Sequence, residues 1–165
     1  MPVIIKASTE KKLIANFICL TSHSMILCIL ERMCNFMPQQ FIELGEGYGD
    51  VYELLEIIKT NQGRFHQAFL LTSTREDKKV ISLAVALKPV GESKFMPIYI
   101  CREGIPYNEE QPTQRQKMFE AQIEQLGRKA VVVEIKHSSI FSESKLFYQY
   151  LIGILRLNNY IPALT

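Results

Sequence analysis

The period of the apolar positions changes repeatedly along the chain, and each change marks an element. Phe41 to Leu44 is a short apolar run that stops at Gly45-Glu46-Gly47-Tyr48-Gly49, the pattern of a strand entering a loop. Asp50 and Glu53 then have capping-box spacing, and Val51, Leu54, Leu55 and Ile58 recur at helical spacing to make one apolar face that ends before Gly63. Two β-rich runs follow, Phe65 to Thr72 and Val80 to Leu87, joined by the charged turn Arg75-Glu76-Asp77-Lys78-Lys79, and a third run spans Met96 to Cys101. Short polar connections between successive strands predict an antiparallel three-stranded meander. In VISLAVAL nearly every residue is apolar or small, so this strand is expected in the middle of a sheet covered on both faces.

Beyond the loop framed by Pro106 and Pro112, Phe119, Gln122, Ile123 and Leu126 share one face of a helix that Gly127 terminates. Ala130 to Lys136 reads as an edge or parallel strand. The last element, Ser142 to Leu157, differs in kind. Leu146, Phe147, Tyr148, Tyr150, Leu151, Ile152, Ile154, Leu155 and Leu157 cover nearly its whole circumference, and a helix apolar all round is expected to be buried all round. The prediction is an α/β (α+β) domain of order βαβββαβα, with a mixed sheet and three packing helices. A single sheet covers only one side of the last helix, so its other side is expected to meet a partner, most simply a second copy in a homodimer, or another protein.

Composition changes this picture mainly at the amino terminus. The apolar share of 47% and charged share of 22% in 165 residues are those of an ordinary globular protein. The net charge of +2 comes entirely from the first 37 residues, where Lys6, Lys11, Lys12 and Arg32 outnumber Glu10 and Glu31; the remainder is neutral and gives no push toward nucleic acid or anionic membrane. Cys19, Cys28 and Cys34 also lie there, leaving Cys101 alone in the domain and unable to form an internal disulfide, which favours the cytoplasm.

Leu13 to Leu30 is uncharged and follows Lys11 and Lys12 like a signal-peptide core or a marginal membrane span, but Asn16, Thr21, Ser22, His23 and Ser24 interrupt it. The abrupt change in pattern near Met37 fits a different expectation: residues 1–36 are a non-native or disordered extension, and 37–165 form one domain.

Four signals could carry chemistry. The strand, G-x-G-x-G loop and capped helix at Gly45, Gly47 and Gly49 have the geometry of a phosphate cradle, although the spacing is that of no nucleotide motif and Glu46 and Asp50 would repel an anion. Arg102 and Glu103, just past the third meander strand, would sit where ligand sites in mixed sheets often lie and could face that loop. His66 and His137 could in principle serve as acid-base groups but have no partner at a recognisable catalytic spacing, and Cys101 reads as an inert buried thiol. Glu134-Ile135-Lys136 is an E-x-K triplet.

The order of elements, with that triplet, resembles the core of the PD-(D/E)XK nucleases. That resemblance implies an acidic residue on one strand and E-x-K on the next, before the second helix. Here Glu134 and Lys136 lie after that helix, and the two meander strands that should carry the site hold no such set, so no metal site is expected. The runs FIELGEGYGDVYELLEI, SLAVALKP, IYICREGIP and FYQYLIGILRLNNYIP resemble a family of small uncharacterised proteins from Bacillus and related Gram-positive bacteria, over about Phe41 to Pro162. The resemblance implies no known activity or cofactor. Similar chains are sometimes labelled methylthioribose kinase, but the domain is too short for a two-lobed kinase and lacks its catalytic pattern. The expectation is a cytoplasmic, non-catalytic binding or regulatory domain acting through protein contacts. Its alternatives are a protein or enzyme that binds a phosphate-bearing small molecule, and a degenerate nuclease fold.

Overall fold

The computed structural model describes residues 39–45, 49–101 and 103–163. The expectations for residues 1–36 lie outside the described residues. The chain runs β1 (Gln39–Glu43), α1 (Gly49–Thr60), β2 (Phe65–Arg75), β3 (Lys78–Leu87), β4 (Met96–Ile100), the two-residue β5 (Ile105–Pro106), α2 (Gln114–Gln125), β6 (Val131–Glu134) and α3 (Ser144–Leu157). Short 3-10 turns occupy Gln62–Arg64 and Ser138–Ile140.

The main sheet has the order β1-β4-β3-β2-β6, with β5 pairing alongside β3. β2, β3 and β4 form the expected antiparallel meander, while β1 joins β4 and β6 joins β2 in parallel. The fold is therefore α+β with a mixed six-stranded sheet and three helices, as the patterning predicts, plus the short β5. β1, β4, β2 and β6 all point the same way and β3 opposes them, so four strands present their carboxyl ends along one edge. The β2–β3 turn places Glu76 and Asp77 at φ 48° and 61°, a conformation side-chain-bearing residues seldom adopt.

β3 is the central strand, and its period-2 alternation divides the core in two. Ile81, Leu83, Val85 and Leu87 pack with Val51, Leu54, Ile58, Phe119 and Ile123 of α1 and α2. Ala84 and Ala86 point the other way, where their small size leaves room for Phe147, Leu151 and Leu155 of α3 beside Phe69, Leu71, Ile98 and Ile100. α2 begins at Thr113, whose side chain accepts from the Gln116 N–H, and ends at Gly127, whose φ of 66° lets the chain turn back while Arg128 N–H donates to Ile123 O.

Two sequence expectations change. Asp50 lies inside the first turn of α1 instead of capping it; its carboxylate accepts from Val51 N–H and pairs with Arg115 of α2. α3, expected to be apolar and buried all round, carries the exposed Lys145 and Gln149 and is not buried all round. Phe147, Leu151 and Leu155 are buried and several neighbours are half-buried, but Leu146 and Leu157 are exposed, because one sheet face accommodates only one side of a helix. The chain after α3 returns to the sheet: Tyr160 O lies 3.1 Å from His66 Nε2, and Gln39 donates to Pro162 O while accepting from Arg156 Nε.

Candidate functional site

Alternation along β2 and β3 puts polar side chains beneath α3 at the edge where the parallel strands end. Phe69 and Leu71 of β2 belong to the α3-side core, so Ser73 continues that face; Ala84 and Ala86 of β3 likewise place Ser82 there. β4 leads into Glu103, and the chain after β6 leads into His137. Glu103 and His137 are each about nine-tenths buried.

Glu103 is the hub. Its Oε1 accepts from Ser73 Oγ at 2.7 Å and its Oε2 from the Ser138 N–H at 3.1 Å, so one carboxylate ties β2, the end of β4 and the 3-10 turn after β6 together. His137 Nε2 lies 3.4 Å from Oε2. On the other side of the ring, Nδ1 accepts from the Ser139 N–H at 3.1 Å and lies 2.8 Å from Ser139 Oγ. Because a backbone N–H can only donate, Nδ1 serves as an acceptor, which leaves Nε2 as the nitrogen that carries a ring proton, 3.4 Å from the carboxylate.

A cavity of about 250 Å³ opens beside this cluster, lined by Glu43, Ser82, Glu103, Ser139, Glu143, Phe147 and neighbouring residues. Ser82 Oγ is buried at its wall and has no hydrogen-bond partner among the described residues, which is uncommon for a buried hydroxyl. The amino end of α3 also borders the cavity. Glu143 makes no side-chain cap, and helix geometry leaves the first N–H groups of α3 without an acceptor inside the helix. Residues bearing carboxylates and hydroxyls, and Phe141, Phe147 and Tyr148, thus line one cavity bordered by the amino end of α3.

Cys101 lies at the end of β4 in the opposite layer, against α1. Burial raises the pKa of its thiol well above the ordinary value, and the nearby Asp50 carboxylate adds to the effect. This is the inert buried thiol that the sequence suggests.

The structure sorts the candidate residues clearly. Glu103 lies in the cluster. Gly45 is exposed just after β1, whose end is fixed to β4 by Leu44 N–H donating to Ile100 O, and Gly49 is the exposed first residue of α1. Gly47 and Arg102 lie outside the described residues. Glu134 and Lys136 are exposed; Glu134 borders a second cavity with Lys79, Tyr107 and Glu109, and the Lys136 N–H donates to Tyr150 Oη. In that cavity burial, then the Glu109 charge, holds the Tyr107 phenol above its ordinary pKa. Among the described residues there is no group of three His, Cys, Asp or Glu side chains able to hold a metal ion.

Sequence reasoning passed over the partners of His137. Ser139 is only two residues away, a spacing with no motif attached, and Glu103 is brought in from 34 positions earlier by strand pairing. The legible signal was the hydroxyl-rich run His137-Ser138-Ser139 directly after a strand.

Fold and site together define an α+β domain with a ligand-sized pocket at the carboxyl edge of a mixed sheet. The family model described as Domain of unknown function (DUF7147) matches residues 37–161, and the chain belongs to that family. No curated protein and no solved structure matches it. No helix among the described residues is long and apolar enough to cross a membrane.

Proposed function

We propose that this is a binding domain that takes a small polar ligand in the cavity beside Glu103. The observation that carries this reading is Ser82 Oγ: a buried hydroxyl with no partner among the described residues, in a residue on the wall of a cavity of about 250 Å³, would be satisfied by a ligand that supplies the missing hydrogen bond. The position supports it as well, since ligands of open α/β sheets gather at the carboxyl ends of the strands. Glu43, Glu103 and Glu143 weigh against a strongly anionic ligand, whereas the amino end of α3 favours a group that accepts hydrogen bonds. A neutral ligand with both donors and acceptors fits this balance better than a phosphate, and the nuclease-like reading has less support because Glu134 and Lys136 lie on another cavity or in solvent.

The test is thermal unfolding of the full chain against nucleotides, sugar phosphates, small alcohols, amides and amines. A compound from this set should raise the midpoint by a few degrees, and Ser82→Val should remove the rise. No shift across the set, or a shift indifferent to Ser82→Val, rejects the pocket.

A second reading concerns assembly. We infer a cytoplasmic homodimer through the outer side of α3, supported by Leu146 and Leu157, two apolar side chains that are 44% and 84% exposed. Light scattering over a wide concentration range, repeated on Leu146→Asp/Leu157→Asp, tests it; a wild-type monomer throughout rejects it.

A further inference from the structure

The cluster behind the cavity holds the parts of an activated nucleophile in mutual contact. Ser139 is exposed and borders the cavity. Its Oγ lies 2.8 Å from His137 Nδ1, the nitrogen that also accepts from the Ser139 N–H. Behind the ring, Nε2 faces Glu103 Oε2 at 3.4 Å, and Glu103 is held in place by Ser73 Oγ and the Ser138 N–H. Nucleophile, base and orienting carboxylate within reach of one another are the arrangement by which a serine is made reactive, whatever the fold or chain order. Here the two ring nitrogens exchange their usual duties. The amino end of α3, the positive end of its dipole, borders the same cavity and would favour the negative charge that develops on an acyl oxygen.

We propose that Ser139 is an acyl-accepting nucleophile, with His137 as its general base and Glu103 as the positioning residue, acting on small uncharged carboxylic esters whose acyl group enters the cavity against Phe141, Phe147 and Tyr148. This rests on the cavity being a ligand site. In the first step the Ser139 Oγ–acyl bond forms and the ester's C–O bond to the leaving alcohol breaks, while the Oγ proton passes through His137 Nδ1 to the departing alkoxide. In the second, water attacks the acyl-serine, its proton passes through the same nitrogen to Ser139 Oγ, and the carboxylic acid leaves. No oxidant, reductant or metal enters the balance. The Ser139 N–H that also donates to Nδ1 fixes the serine against the ring, and it competes for the same lone pair. A modest rate follows from that competition.

The experiment treats the full chain with an alkyl fluorophosphonate, in which Oγ displaces fluoride, and with p-nitrophenyl butyrate. Peptide mapping should find the phosphonyl group on Ser139, and Ser139→Ala, an exposed change that leaves the core untouched, should abolish both labelling and ester turnover. His137→Gln should slow labelling by about 100-fold or more. In Glu103→Gln the kcat for p-nitrophenyl butyrate should fall by about 10-fold or more with KM little changed, because the ring loses the carboxylate that orients it while the cavity wall stays in place. A purely structural role for Glu103 leaves kcat per folded molecule where it was. If His137→Gln does not fold, the split between kcat and KM in Glu103→Gln carries the test. Labelling absent from Ser139, or an unchanged kcat in folded Glu103→Gln, overturns the proposal. A ligand shift abolished by Ser82→Val, without labelling of Ser139, overturns the nucleophile alone and leaves the binding site standing; failure of both overturns the two together.

Discussion

The thiol of Cys101 is buried against the carboxylate of Asp50, where the end of β4 meets the first turn of α1. Burial and then the neighbouring negative charge keep the thiol protonated in the folded chain well above the pH at which it ionises when unfolded. The folded state therefore retains a proton that the unfolded state gives up, and the stability held below about pH 8.5, the ordinary thiol value, is lost as pH rises beyond it. The slope from this group is about 1.4 kcal/mol per pH unit. Urea unfolding of wild type and Cys101→Ala at alkaline pH should differ by that slope, and Cys101 should resist thiol reagents until the chain unfolds.

Arg115 of α2 is the partner of the same Asp50, whose side chain is only 2% exposed. Replacing the arginine with methionine keeps much of its apolar length but leaves a buried carboxylate without its cation. The expected loss is about 2–4 kcal/mol, at the lower side of the range for a broken buried pair because water reaches the guanidinium. Arg115→Met/Asp50→Asn should recover part of it, as read from denaturant midpoints at constant m.

Glu103 carries a different structural burden. Glu103→Ala strands the Ser73 hydroxyl and the Ser138 N–H and removes the charge facing His137, so a loss of about 2–4 kcal/mol is expected. Amide exchange should accelerate first at Ser138 and Ser139. Ser82→Val should act oppositely, stabilising the unliganded chain by about 1 kcal/mol, because it removes a buried hydroxyl that has no partner among the described residues.

The turn at Glu76-Asp77 holds two side-chain-bearing residues at positive φ. The double substitution Glu76→Asn/Asp77→Gly places an asparagine and then a glycine in this hairpin, the pair that adopts such a turn most readily. A gain of about 0.5–1 kcal/mol should appear as a higher thermal midpoint without change of fold.

Much of the architecture was legible because it follows from local pattern. VISLAVAL announced a doubly covered central strand, and Gly127 announced a helix end. The failures share a cause. Asp50 reads as a cap by its spacing to Glu53, but Arg115, 65 residues away, redirects its carboxylate; α3 reads as buried all round because sequence cannot count the faces available to cover it. Of the proposed site Glu103 was singled out in advance, and His137 was noted but without a partner. Ser82 looks like an ordinary strand residue until its neighbours are placed, and the His137–Ser139 contact depends on the φ and ψ of a 3-10 turn that no periodicity announces.

The sheet mixes two kinds of pairing that differ greatly in the length of chain they must enclose. β2 and β3 meet across a two-residue turn, whereas the partners in β1 and β4, and those in β2 and β6, stand roughly 60 residues apart along the chain. Closing those spans costs entropy that the central hairpin never has to meet, so the hairpin is the natural seed of folding and the two flanking strands are the late additions. The cavity draws its walls from both flanks. Its shape is thus the last thing the chain acquires on folding and the first it surrenders, and any compound held there would act as a clasp across the two seams that close last.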